Sequence, residues 1–289
     1  MKPSRVAWWF VGPALLVIAV FFVLPVLAGL AMSLTDFDIY ALADLRNLRI
    51  VWLRNYAELL QRPLFWKALG NTLYFVVVGV PLSLAVSLGA ALLLDSRFAR
   101  FQPFFRTALF APVVTTIVAV AVIWRHLLGT RYGFVNYALG AIGIAPIDWL
   151  GDPRFAMPAI IIFAVWKNFG YNMIILLAGL QSIPRDLYEA ARIDGASALA
   201  RFRYVTLPML APILTIVGIL TVAGYFQLFA EPYVMTQGGP LNKTMTIVMM
   251  MYQQGFKFWR MGYAASVAFI LFLVIGAATL VQLRMGEKR

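Results

Sequence analysis

From Trp8 to Met32 the chain carries no charged residue, and from Gly70 to Leu94 it carries none again. Either run is long enough to cross the hydrocarbon core of a bilayer, which takes about 20 apolar residues in a helix. The first is too long and too aromatic for a cleaved signal and lacks a small-residue cleavage site, so it reads as an uncleaved first helix with Pro13 and Pro25 tolerated as kinks. Composition extends the conclusion to the whole chain. Of its 289 residues 62% are hydrophobic and 12% charged, against about 45–50% and about 25% in soluble domains.

Four more spans are expected at Thr107–Ile123, with Pro112 inside, and at Met157–Leu180, Pro208–Val234 and Tyr263–Leu283. Ala85 and Gly89 make a small-xxx-small pair suited to close helix packing in the second span. Six spans place both termini on one side. The segments that would then lie inside carry Lys2, Arg5, Arg97, Arg100, Arg106, the arginines between 181 and 207, Arg284, Lys288 and Arg289. They are more densely basic than the longer outer loops, so the positive-inside rule orients the chain N-in and C-in.

Several function classes drop out. There is no cysteine, hence no disulfide framework and no thiol chemistry. One histidine, His126, excludes multi-histidine metal sites, and beside Arg125 it reads as an interfacial residue. Asp148 and Asp152 read as solvated loop carboxylates. No segment matches the phosphate-binding G-x-x-x-x-G-K-[ST] pattern, so no cofactor is expected, and any ATP-driven work would need a partner to bind the nucleotide. The net charge of +12 suits anionic lipid rather than nucleic acid.

One charge-dense stretch, Tyr188 to Pro208, interrupts this apolar chain. It reads as two short helices about a glycine: Asp186 caps the first, with Glu189 completing a capping box, Gly195 stops it, and Ser197 caps the second. Composition alone gives an ordinary helix–turn–helix loop. Glu189-Ala190-Ala191, Asp194-Gly195-Ala196, Phe202 and Leu207-Pro208, however, resemble the signature of binding-protein-dependent ABC importer permeases. Val205, where isoleucine is usual, is a conservative departure. The resemblance implies an all-α integral membrane protein of six transmembrane helices with the type I ABC importer permease fold. It makes 181–207 a cytoplasmic coupling loop that docks on an ATPase subunit through these residues.

Asn55, Tyr56, Phe65, Trp66, Asn71 and Thr72, and the run Met235–Thr244 followed by Tyr252-Gln253-Gln254-Gly255-Phe256, are similar to the carbohydrate-uptake group, on the side of the first permease of the maltose and glycerol-3-phosphate type. The large extra periplasmic domain of some maltose permeases is missing. The implied division is residues 1–65, a first helix and external loop; 66–284, the transmembrane core; and 285–289, a basic tail. The implied partners are a second permease, an ATP-binding subunit dimer and an extracytoplasmic solute-binding protein, at a bacterial inner membrane. Polar residues inside spans cost free energy unless paired or wetted. The resemblance to maltose-type permeases implies a sugar pathway on the matching positions, Lys167, Asn168 and Tyr171 on the fourth span and Phe226, Gln227 and Glu231 on the fifth, and Lys167 and Glu231 are expected to form an ion pair. The bland reading of the same residues is hydrogen bonding between helices. Two rival functions are an ABC permease for a non-sugar solute and a self-sufficient secondary transporter, which would move substrate with this chain alone.

Overall fold

A computed structural model describes residues 5–96 and 101–287. Lys2, Arg97, Arg100, Lys288 and Arg289, cited above for orientation, lie outside them. Among the described residues the fold is helical, apart from one isolated bridge between Thr35 and Ile50. Helix α1 (Arg5–Ile18) passes through a π turn into α2 (Leu24–Ser33), followed by α3 (Ile39–Ala43), α4 (Arg54–Gln61) and α5 (Pro63–Asp95). Next come α6 (Gln102–Val114), α7 (Ile117–Leu127), α8 (Phe134–Gly140), α9 (Ala156–Gln181) and α10 (Arg185–Ile193). Then follow α11 (Ala198–Arg201), α12 (Leu207–Phe226), α13 (Ala230–Met235), α14 (Ile247–Tyr252) and α15 (Met261–Glu287).

Five helical stretches are long and apolar enough to span a bilayer, and a bent pair, α6 with α7, makes a sixth. That pair corrects the straight third span expected from sequence. The two helices meet at 97°, and the break falls at Thr115–Thr116, both extended, rather than at Pro112. An unbroken helix would pair the Val113 carbonyl with the Ile117 amide; here it accepts from Lys167 Nζ at 3.0 Å. The fifth span also differs from expectation. It begins at Ala198, runs through a π turn at Phe202–Thr206 into α12, and breaks after Phe226 before α13. Two π turns, Ala19–Val23 and Phe202–Thr206, stand just ahead of Pro25 and Pro208. Their wider turns move aside the carbonyl that each proline ring would strike.

The chain divides into two compact units, Met1–Trp66 with Met250–Leu273, and Lys67–Met249 with Val274–Arg289. The first is tied by polar groups. Asn55 Nδ2 donates to the carbonyls of Ser33 and Thr35 at 2.9 and 2.8 Å, and the Ser33 and Tyr56 hydroxyls meet at 2.7 Å. Arg260 makes two hydrogen bonds to Glu58, which also accepts from Arg62.

The second unit is built on α9. Phe169, Met173, Leu176, Leu177 and Leu180 pack with Ala91 and Leu94 of α5 and Leu210 and Val217 of α12 in one apolar cluster. Gly170 permits closer approach still: a Cβ there would lie 2.5 Å from the Leu109 carbonyl oxygen of α6. Asn71 donates to the carbonyls of Asn242 and Met245, and the Thr72 hydroxyl accepts from the Ile247 amide. The polar residues of the Asn55–Thr72 motif thus satisfy backbone groups in loops that would otherwise lack partners.

Candidate functional site

Two features of the second unit stand out, an exposed helix and a cavity. The first is α10. Its residues Arg185–Ile193 include none that is buried; Glu189, Ala190, Arg192 and Asp194 are exposed, and Ile193 is 87% exposed. Asp186 is not its cap. Pro184 takes the N-cap position and no side chain caps the start, so Asp186 sits in the first turn, where a carboxylate favours the positive end of the helix dipole. The far end follows the expected stop closely. Gly195 has φ +75°, its amide bonds the Arg192 carbonyl, and the Ala196 amide bonds the Ala191 carbonyl, a Schellman end that needs a residue free to turn left-handed. Ser197 then accepts from the Ala200 amide at 3.2 Å and caps the next helix.

One face of α10 is anchored. Tyr188 packs against the α9 cluster, and its hydroxyl meets that of Thr206, at the foot of α12, at 3.0 Å. Arg201 Nη1 donates to the Ala196 carbonyl at 2.8 Å. Helix α10 is thus joined to α9 through the short Ser182–Pro184 link and to Thr206, at the foot of α12, through Tyr188. Leu207 and Pro208 lie in the first turn of α12, Leu207 half-buried and Pro208 exposed.

The second feature is a cavity of about 500 Å³ walled by α5, the α6–α7 break, α9, the end of α12 and the start of α13. It brings together four expected pathway residues, Asn168, Tyr171, Gln227 and Glu231. Tyr171 is 51% exposed and Glu231 only 7%. The other two lie off its wall. Phe226 is buried in packing, because the helix turn that ends α12 sends Tyr225 to the cavity instead. Lys167 is buried with its ammonium on Val113, and no direct Lys167–Glu231 ion pair forms among the described residues; the two charges act on each other only at longer range. The expected ion pair is thus replaced by a cap on the broken end of α6.

Asn172, Thr221, Tyr225, Phe75 and Phe229 also line the cavity and went unassigned in the sequence. Asn172 was within reach of periodicity, since Asn168, Tyr171 and Asn172 share one helix face. It donates to Thr221 at 3.0 Å, joining α9 to α12. Phe75 carried no such signal, as one phenylalanine in an apolar run.

The family described as "Binding-protein-dependent transport system inner membrane component" matches residues 5–288. The lactose transport system permease protein LacF of Rhizobium radiobacter is 38% identical over 98% of this chain and 94% of its own length. The arabinooligosaccharides transport system permease protein AraP of Bacillus subtilis is 33% identical over 96% and 87%. The trehalose/maltose transport system permease protein MalF of Thermococcus litoralis is 33% identical over 100% and 96%. Among solved structures, a chain of a bacterial ABC transporter involved in the import of the acidic polysaccharide alginate superposes with a TM-score of 0.80 at 22% identity, covering 98% of this chain and 95% of that one. That likeness establishes the fold.

Proposed function

This chain belongs to the family of binding-protein-dependent transport system inner membrane components, and from that premise we propose that it is the membrane-spanning permease subunit of an ATP-driven sugar importer. It lies in a bacterial inner membrane, N-in and C-in, with its transmembrane core over residues 66–284. A second permease completes the path, an ATPase dimer hydrolyses the nucleotide, and an extracytoplasmic solute-binding protein delivers the sugar. The sugar class follows the names of the three relatives and suits a cavity of amides, hydroxyls and aromatic rings.

The observation that carries the coupling assignment is α10 itself. A helix with no buried residue, an exposed Ile193 and a closed C-terminal end is shaped to be covered by another protein. In the proposed cycle, ATP closes the ATPase dimer and moves α10. Its ties to α9 and to Thr206 carry that movement to helices that wall the cavity.

The test is affinity purification of the tagged chain from native membranes, with mass spectrometry of what accompanies it. An ATPase and a second permease are expected, with the ATPase lost on Glu189→Lys. Gly195→Pro is expected to insert normally and to leave sugar uptake below roughly a tenth of wild type, because an exposed coupling helix that loses its geometry ceases to transmit. Normal uptake and an undiminished ATPase yield in both variants would remove α10 from this role. Recovery of the chain alone, active without ATP, would replace the importer with a secondary transporter.

A further inference from the structure

We propose that the cavity selects uncharged sugars and turns away acidic ones, and that Glu231 sets this choice; the inference deepens the sugar-importer reading and rests on it. No basic residue lines the cavity among the described residues. Lys167, on the same helix as Asn168 and Tyr171, donates to the Val113 carbonyl at 3.0 Å. What remains includes the Asn168 and Gln227 amides, the Tyr171 and Tyr225 hydroxyls and one carboxyl group, with no positive charge among them. Asn168 Nδ2 donates to the Ala164 carbonyl and Gln227 Nε2 to the Ala223 carbonyl. One amide hydrogen of each is thereby committed, and each side-chain oxygen is left without a protein donor among the described residues. Glu231, more than nine-tenths buried yet on the cavity wall, receives no hydrogen bond from any other residue described.

A carboxylate or sulfonate on a sugar is acceptor-only. On this chain's wall it would meet a carboxyl group and no cation to balance it, and an unpaired charge away from water is costly. A sugar hydroxyl is a donor as well as an acceptor. Two neighbouring hydroxyls can bond the Glu231 carboxyl group together, while Asn168 and Gln227 accept from others and Tyr171 offers a ring face. A carboxyl group in this place, with no basic residue beside it, gives hydroxyls a partner and gives an anion no balancing charge.

The experiment is saturation-transfer NMR on the complete transporter without its binding protein, so that only the membrane site discriminates. The probes are lactose and lactobionate, its aldonic acid, at equal concentration. The expected signal for lactose exceeds that for lactobionate by about fivefold, the worth of one partly shielded charge pair, and Glu231→Lys reverses the order. Gln227→Lys, at an exposed position, is expected to raise the lactobionate signal in the same sense and stands in should Glu231→Lys fail to assemble. Glu231→Gln with Lys167→Met separates ligand reading from mere charge neutralisation: if the double variant regains the wild-type lactose preference, Glu231 only balances Lys167 and the inference falls. Equal wild-type signals for the two probes, or a ratio unmoved by either lysine variant, also overturn it while leaving the sugar reading intact. No signal from either probe, in a transporter that hydrolyses ATP and imports a non-sugar solute, overturns both.

Discussion

The first span and α9 are both long, apolar helices, and they obey opposite rules. The first, Trp8–Ser33, has mean hydropathy 2.8 over its most apolar window, and none of that window is buried; α9 has 1.7, with 67% buried. In a soluble protein the more apolar helix would be the inner one. In a bilayer, lipid accepts apolar surface as readily as protein does, so hydropathy no longer draws a helix inward. The helix that must be enclosed is the one with polar groups to satisfy: α9 carries Lys167, Asn168 and Asn172, each with a hydrogen-bond partner in protein. The difference also sorts the forces. Dense packing holds α9, whereas the first unit adds hydrogen bonds and ion pairs to its buried Leu59 and Phe65.

The sharpest way to break this contrast is to add bulk to both helices. Gly170→Leu on α9 would drive side-chain atoms into the Leu109 backbone and Phe110, since a bare Cβ already comes within 2.5 Å of the Leu109 oxygen. Overpacking of backbone against backbone costs about 3 kcal/mol or more, and the apparent melting temperature in detergent should fall by roughly 6–12 °C. Gly12→Leu, in the first span, meets nothing within 4 Å and should leave melting unchanged. Comparable losses in the two variants would show that the first span is packed against protein after all.

How much of this was legible in the sequence depended on which force was at work. Spans defined by hydropathy were found within a few residues, as with Met157–Leu180 against α9 at Ala156–Gln181. Motif chemistry was found to the residue at Gly195 and Ser197, because only particular side chains close helix ends that way. The misses share a cause. The α6–α7 break depends on Lys167, fifty-four positions away from the carbonyl it captures. The cavity wall depends on which residues α12 points inward as it ends, which places Tyr225 on the wall and Phe226 off it. Both are set by tertiary geometry that no local period encodes.

A second substitution sharpens the polar side of the contrast. Asn55 is buried and bonds two carbonyls at the end of α2. Asn55→Leu keeps the volume and strands both acceptors, a loss of about 2 kcal/mol, read as a fall in apparent melting temperature of roughly 4–8 °C. Tyr56→Phe removes one donor and should cost less. If Asn55→Leu is as stable as wild type, apolar contact rather than hydrogen bonding holds this region, and the two units do not differ in kind.

The smallest effect concerns pH. Partial burial opposes ionisation of Glu58, but hydrogen bonds and charge from Arg260, then Arg62, outweigh it and hold its carboxyl below the ordinary value of 4.5. Both guanidiniums also lie over the Tyr263 ring, at 4.6 and 5.3 Å. A carboxyl whose folded-state value is depressed adds stability that is present above its unfolded value and is lost as pH falls through the folded one. The wild type should therefore melt above Glu58→Gln at neutral pH, and the two curves should converge on acidification below about pH 4.5. The Glu58 side chain is 35% exposed, so water screens the pair and the gap should stay below about 1 kcal/mol. A gap that persists unchanged into acid would mean that Glu58 acts by shape and not by charge. The polar tie at the first span would then be closer in nature to the packing around α9 than the contrast allows.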